Sequence, residues 1–165
     1  PSHVGELARE EEQIAENFGA EPWIPAGSDQ PARYLWPELK LTINGWRFLI
    51  RHHGAGAGRR PHTLQGALHR YLQDQYTYHR TEGAEIFDWY VFSHYHRFVT
   101  DAYVPSGHAR VMNACITPPW QMRTAYSRSL GEFDRVGGIY FLIDDEHCEL
   151  KHSIMTFDDV KAVKA

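Results

Sequence analysis

The chain has 165 residues, 42% of them apolar and 13% aromatic, enough to bury the core of one domain. Its formal net charge of −4 excludes a general electrostatic attraction to nucleic acid, and its apolar runs are far too short to span a membrane as helices. Cys115 and Cys148, the only two cysteines, are far apart and form no CxxC pattern, which excludes a disulfide framework and reads as reduced thiols in a cytoplasmic protein.

The N-terminus, Pro1-Ser2-His3-Val4, has neither an initiator Met nor a signal-peptide pattern and reads as the start of a truncated chain. Leu7, Ile14 and Phe18 recur on one face of a helix predicted over 5–18, which Gly19 ends. Prolines and glycines over 22–31 mark a loop. A hairpin follows. Leu39, Leu41 and Ile43 alternate, Asn44-Gly45 supplies the turn, and Trp46, Phe48 and Ile50 alternate again before running into His52-His53-Gly54.

A small-residue loop over 54–58 leads through Arg59 and Arg60 to Pro61, placed for a helix start. Leu64, Ala67, Leu68, Tyr71, Leu72 and Tyr76 then set a helix over 62–80, with Gly83 closing the region. Residues 86–92 read as a buried strand that delivers Ser93-His94-Tyr95-His96. The rest is β-rich, with strands over 98–104 and 109–116 around Pro105-Ser106-Gly107, and over 138–144 and 148–157 around Asp145-Glu146-His147. Residues 158–165 form a polar tail. This is an α/β chain with two main helices.

Imidazole is the commonest side-chain metal ligand near neutral pH. Among the eleven histidines, most read as surface or packing residues: His69 and His79 with the long helix, and His108, His147 and His152 in the β-rich part. His53, His94 and His96 differ because each follows a strand. The helical crossover between the two motifs sets their strands side by side and parallel, with their C-terminal ends adjacent. On that geometry His53 converges with the 94/96 pair. A structural role near strand ends is the competing reading, because spacing alone does not separate the two.

The stretch Asn44-Gly45-Trp46-Arg47-Phe48-Leu49-Ile50-Arg51-His52-His53-Gly54, followed by Asp88-Trp89-Tyr90-Val91-Phe92-Ser93-His94-Tyr95-His96-Arg97, resembles the second half of a calcineurin-like metallophosphoesterase. In that family one strand ends in His-Gly and a later one in Gly-His-x-His. Pro118-Pro119-Trp120-Gln121 with Tyr126, then Gly137-Gly138-Ile139, is similar to microbial and phage members. The resemblance covers residues 1–157 as the C-terminal part of one domain. It implies the β-rich half of a metallophosphoesterase-like sandwich, incomplete as it stands.

The resemblance also implies roles. His53 and His94 would bind the second of two divalent metals (Mn, Zn, Fe or Ni), and His96 the first. His3 would be the catalytic histidine that protonates the leaving group, although Ser2 stands where the family has Asn and Val4-Gly5 replaces its acidic residue. Ser93 stands in place of the Gly before His-x-His. The family's Asp-x-His and Gly-Asp-x-x-Asp motifs are not found ahead of His53, so their ligands, including the bridging carboxylate, belong to a missing N-terminal half, and the resemblance implies a chain that is inactive alone. The substrate would be a phosphomonoester or phosphodiester, nucleotides and nucleic acids included, because a bound metal supplies local positive charge.

Arg59 and Arg97 are candidate phosphate contacts, since a guanidinium offers a planar fork of donors. Asp88 and Asp101 are candidates for orienting a ligand histidine, with surface placement the expectation for both. The rival functions are a non-catalytic His-rich α/β module that binds a metal, and a nucleic-acid-binding module, against which the acidic balance counts.

Overall fold

The computed structural model describes residues 13, 15–19, 21–22, 26–27, 38–54, 61–95, 97–107, 110–119 and 135–156. The chain divides into two compact units, Pro1–Glu38 and Leu39–Ala165. In the first, the predicted helix is helical where it is described, at residues 13 and 15–17, and Gly19 ends it in the left-handed region with its N–H on the Glu16 carbonyl. Phe18, assigned to the apolar face, is instead 87% exposed, because it sits in the turn where the helical spacing has already lapsed. The loop over 22–31 is described only at residues 22, 26 and 27, and the tail over 158–165 lies outside the described residues.

The second unit is a layered α/β fold. Strands β1 (Glu38–Ile43) and β2 (Trp46–Arg51) form the predicted hairpin, and both turn residues take positive φ, 47° at Asn44 and 77° at Gly45. Helix α1 (Pro61–Glu82) begins at the predicted proline and ends where Gly83, again left-handed, donates to the His79 carbonyl. Strands β3 (Trp89–Phe92), β4 (Val99–Tyr103) and β5 (Met112–Ile116) complete a five-stranded sheet in the order β1-β2-β3-β5-β4. The long strands β6 (Arg135–Ile143) and β7 (Cys148–Thr156) pair antiparallel as a separate two-stranded sheet.

The centre of the larger sheet is parallel. β2 pairs with β3, and β3 with β5, in registers that place Arg51 opposite Phe92 and Phe92 opposite Ile116. β4 is an antiparallel edge on β5. The helical crossover therefore does what the sequence predicts, laying β2 beside β3 with both C-terminal ends at one rim.

Period-two alternation sorts the side chains between two faces. Leu49, Tyr90, Phe92, Met112, Ala114 and Ile116 face α1 and pack with Leu68 and Leu72 into one buried cluster. Tyr71 closes it, edge-on to both Tyr90 and Phe92. On the opposite face Phe48 and Trp89 are register partners, and Phe141 of β6 meets both rings edge-on, at 5.1 and 4.9 Å. The Trp46 indole N–H bonds the Asp144 carbonyl, and the Gly137 N–H bonds that of Pro119, fixing the small sheet at both ends. Cys115 is buried in β5, where burial pushes its thiol up to about 12 and makes it inert.

β3 starts three residues later than the apolar run predicts. The Phe87 N–H is taken by the Tyr90 hydroxyl, and the Arg47 N–H by the Asp88 carboxylate, so side-chain oxygens replace ladder partners there. Among the described residues no helix is long and apolar enough to cross a membrane. Leu72, fully buried between helix and sheet, gives the first expectation: Leu72→Ala should lower unfolding free energy in a urea titration by about 2–5 kcal/mol. Tyr140→Ala, on the half-exposed outer face of β6, should stay within about 0.5 kcal/mol.

Candidate metal centre

Both histidine motifs leave the same rim of the sheet. β2 ends at Arg51, so His52 and His53 occupy the bend beyond it, while β3 ends at Phe92 and hands over to Ser93 and His94. Carboxyl ends of parallel strands are where open α/β sheets place their sites, because the chain leaves the ladder there and side chains are freed from the face alternation.

Three contacts hold the two loops in register. The Ser93 N–H is shared between the Arg51 and His52 carbonyls at 3.3 and 3.2 Å. The Tyr95 hydroxyl donates to the Gly54 carbonyl at 3.2 Å. Gly54 itself lies flat on the Phe92 ring, where a Cβ would come within 1.9 Å of Phe92 Cδ1. The glycine of the His-His-Gly motif is thus required for close approach, and the loop it belongs to is seated on the core. From the other side, the Thr117 hydroxyl donates to Ser93 Oγ and the Thr117 N–H to the Phe92 carbonyl.

His94 adopts φ of +71°, and the Tyr95 N–H bonds back to the Ser93 carbonyl at 2.8 Å across it. This is a γ-turn in the left-handed region, the rare and strained form. For a residue with a Cβ such a conformation costs on the order of 1–3 kcal/mol, and it persists only where its surroundings over-determine it. Here it aims the half-buried imidazole back over the β2 loop.

Three imidazoles converge as a result. Ring centroids of His53 and His94 are 4.0 Å apart, those of His52 and His53 4.6 Å, and those of His52 and His94 5.1 Å. His94 Nδ1 lies 3.3 Å from His52 Nε2. One ring nitrogen from each of the three falls within 4.8 Å of the others, and among the described residues this is the single group of three or more His, Cys, Asp or Glu side chains so placed. No carboxylate belongs to it. Neutral imidazoles at these separations can hold a borderline-soft divalent cation.

The predicted pairing of His53 with His94 is present. His52 joins them, although the sequence reading gave it no role. Alternation would put adjacent residues on opposite faces, but the strand stops one residue earlier, so the signal lies in the strand boundary rather than in the spacing. Arg97 is half-buried in the segment leading to β4. His3, His96 and Arg59 lie outside the described residues, as do Trp120 and Tyr126.

Asp88 is a correction to the sequence reading. It is 7% exposed, not a surface residue, and sits at the N-terminal end of β3, the far end of the strand from His94. Its carboxylate accepts from the Arg47 N–H at 2.8 Å and from Arg110 at 3.2 Å, while the Arg110 guanidinium lies over the Trp46 ring. A buried carboxylate needs such partners, and finding them there commits it to the fold. Asp101 pairs with His69 at 3.3 Å, joining β4 to α1.

Of the remaining histidines, His108 lies outside the described residues, and three others take part in local contacts. His79 bonds the Ala84 carbonyl beyond the helix end, and His152 stacks on Phe98. His147 lies in the β6–β7 turn, where the N–H groups of Glu146 and His147 hold the Asp144 carboxyl below its usual range.

No protein-family model and no curated protein matches the chain. Among solved structures, wild-type Vps29 from Entamoeba histolytica in complex with zinc is 13% identical and superposes with a TM-score of 0.44, covering 93% of this chain and 77% of its own. A similarity of that size assigns neither family nor activity.

Two substitutions probe the geometry. Gly54→Ala should cost about 1–3 kcal/mol by overpacking against Phe92 and should separate the His53 and His94 ring signals from their native positions in an NMR spectrum. His94→Gly should do the opposite to stability, raising metal-free unfolding free energy by about 1 kcal/mol as the left-handed strain is relieved.

Proposed function

We propose that the chain belongs to a metal-dependent phosphoesterase acting on a phosphomonoester or phosphodiester, nucleotides and nucleic acids among them. The observation that carries this reading is the convergence of imidazoles from both histidine motifs at the carboxyl rim of neighbouring parallel strands. In this reading His53 and His94 hold one divalent cation and His96 a second. His3 donates a proton to the leaving oxygen, and Arg59 and Arg97 engage the phosphate. The anionic ligand needed between two dications comes from outside this sequence. Paired cations of this kind acidify water and neutralise charge on the phosphoryl oxygens.

The chain's own contribution is placement. His94 is half-buried and placed by its turn and by the contacts of Ser93, whereas His52 and His53 are exposed on the bend beyond β2. Such division suits a site whose remaining ligands arrive separately.

Hydrolysis of p-nitrophenyl phosphate and bis-p-nitrophenyl phosphate by the full chain, with Mn²⁺, Zn²⁺ or Ni²⁺, tests the proposal. The chain with metal alone should be inactive; turnover should need both metal and acetate, a surrogate for the bridging carboxylate, and should fall more than roughly 100-fold in His53→Ala, since even partners that only orient a ligand are worth roughly 10–100-fold. Turnover that is metal-independent, or unchanged in that variant, would refute it. A chain that binds the cation yet hydrolyses neither ester, with or without acetate, is a non-catalytic metal-binding module, the reading favoured by the lack of a carboxylate in the described cluster.

A further inference from the structure

We propose that His52 is itself a metal ligand, and that His52, His53 and His94 form a three-imidazole site for one late first-row divalent cation, Zn²⁺, Co²⁺, Ni²⁺ or Cu²⁺. The inference rests on the metal reading of this cluster and is independent of whether the chain hydrolyses phosphate esters. It departs from the resemblance noted in the sequence, which assigns ligand roles to His53 and His94 and none to His52.

The separation of the donor atoms supports it. An imidazole nitrogen sits about 2.0–2.1 Å from zinc, so two such ligands at neighbouring corners of a tetrahedron are about 3.3 Å apart. His94 Nδ1 and His52 Nε2 are separated by 3.3 Å. The remaining separations, within 4.8 Å, both involve the exposed His53 and close by rotation of that side chain, while His94 stays where its turn holds it.

A hydrogen bond between the two imidazoles is the competing account of the 3.3 Å contact. It explains neither the approach of the His53 ring to within 4.0 Å of His94 nor why a strained backbone is retained to bring three imidazoles together at an open rim. A cation with a preference for nitrogen donors explains both. Three neutral imidazoles also leave a fourth position for water or an anion, the arrangement of an open rather than a closed zinc site. The donor set disfavours Mg²⁺, Ca²⁺ and Mn²⁺, which suit oxygen ligands.

Titration of the full chain with Co²⁺, followed by visible absorption and by competition with Zn²⁺, decides the matter. One ion per chain should bind and give the intense bands of four-coordinate Co²⁺. His52→Ala, His53→Ala and His94→Asn should each weaken Zn²⁺ binding by more than roughly tenfold, with circular dichroism unchanged; Asn is chosen at position 94 because it tolerates positive φ. Undiminished affinity in His52→Ala, with binding lost in the other two variants, would overturn the three-imidazole site and leave the phosphoesterase reading intact. No Co²⁺ band in the wild-type chain, a hydrogen-bonded imidazole pair only, would overturn the site and the metal reading together. Failed hydrolysis with all three ligands confirmed would count against the phosphoesterase reading alone.

Discussion

The contact between the Phe92 ring and the Gly54 backbone is the constraint from which the rest of the site follows. Phe92 is the last residue of a central strand and belongs to the buried cluster against α1, so its position is set by the core. Gly54 is the first residue past the two histidines of the β2 loop. Seating one on the other transmits the rigidity of a packed interior to a loop at the rim. The Tyr95–Gly54 hydrogen bond repeats the linkage from the β3 side. Without this pair of contacts, His52 and His53 would stand on a free bend, and the strained turn at His94 would point at nothing.

The two ends of the parallel strands divide their labour. At the N-terminal end, Lys40 and Arg47 both engage Glu85, their hydrogen bonds and charges hold its carboxyl below the usual range, and both cations lie over the Phe87 ring. Beside them Asp88 ties Arg47 to Arg110. Every group there answers a charge within the fold. At the C-terminal end the histidines form a cluster of donors with no anion of its own among the described residues. Stabilising polar contacts are gathered at one rim, and potential metal ligands at the other.

Much of this was legible in the residues. Asn44-Gly45 fixed the hairpin because both positions require positive φ, and the apolar spacing from Leu64 to Tyr76 fixed the long helix. Hairpin, helix and apolar run together implied two parallel strands, and so the meeting of His53 with His94. Other features depend on contacts distant in sequence. Period-two reasoning assigns His52 to the wrong side because it cannot see that the ladder stops at Arg51. Asp88 reads as polar and therefore exposed, while its burial depends on Arg110, twenty-two residues away. The insertion of β5 between β3 and β4 leaves no local trace, since either hairpin strand could have joined the sheet.

The left-handed backbone at position 94 also bears on how the sequence can drift. Histidine is held there against a conformational penalty that Gly avoids and that His, Asn and Asp feel less than other residues. The backbone alone admits Gly, Asn, Asp and His at that position and excludes Val, Ile and Thr. Among descendants the column would then show a narrow exchange, His for Gly, Asn or Asp, while Gly54 beside it stayed fixed by the aromatic ring beneath. Such a pattern would separate what the backbone demands at position 94 from what its side chain is kept for.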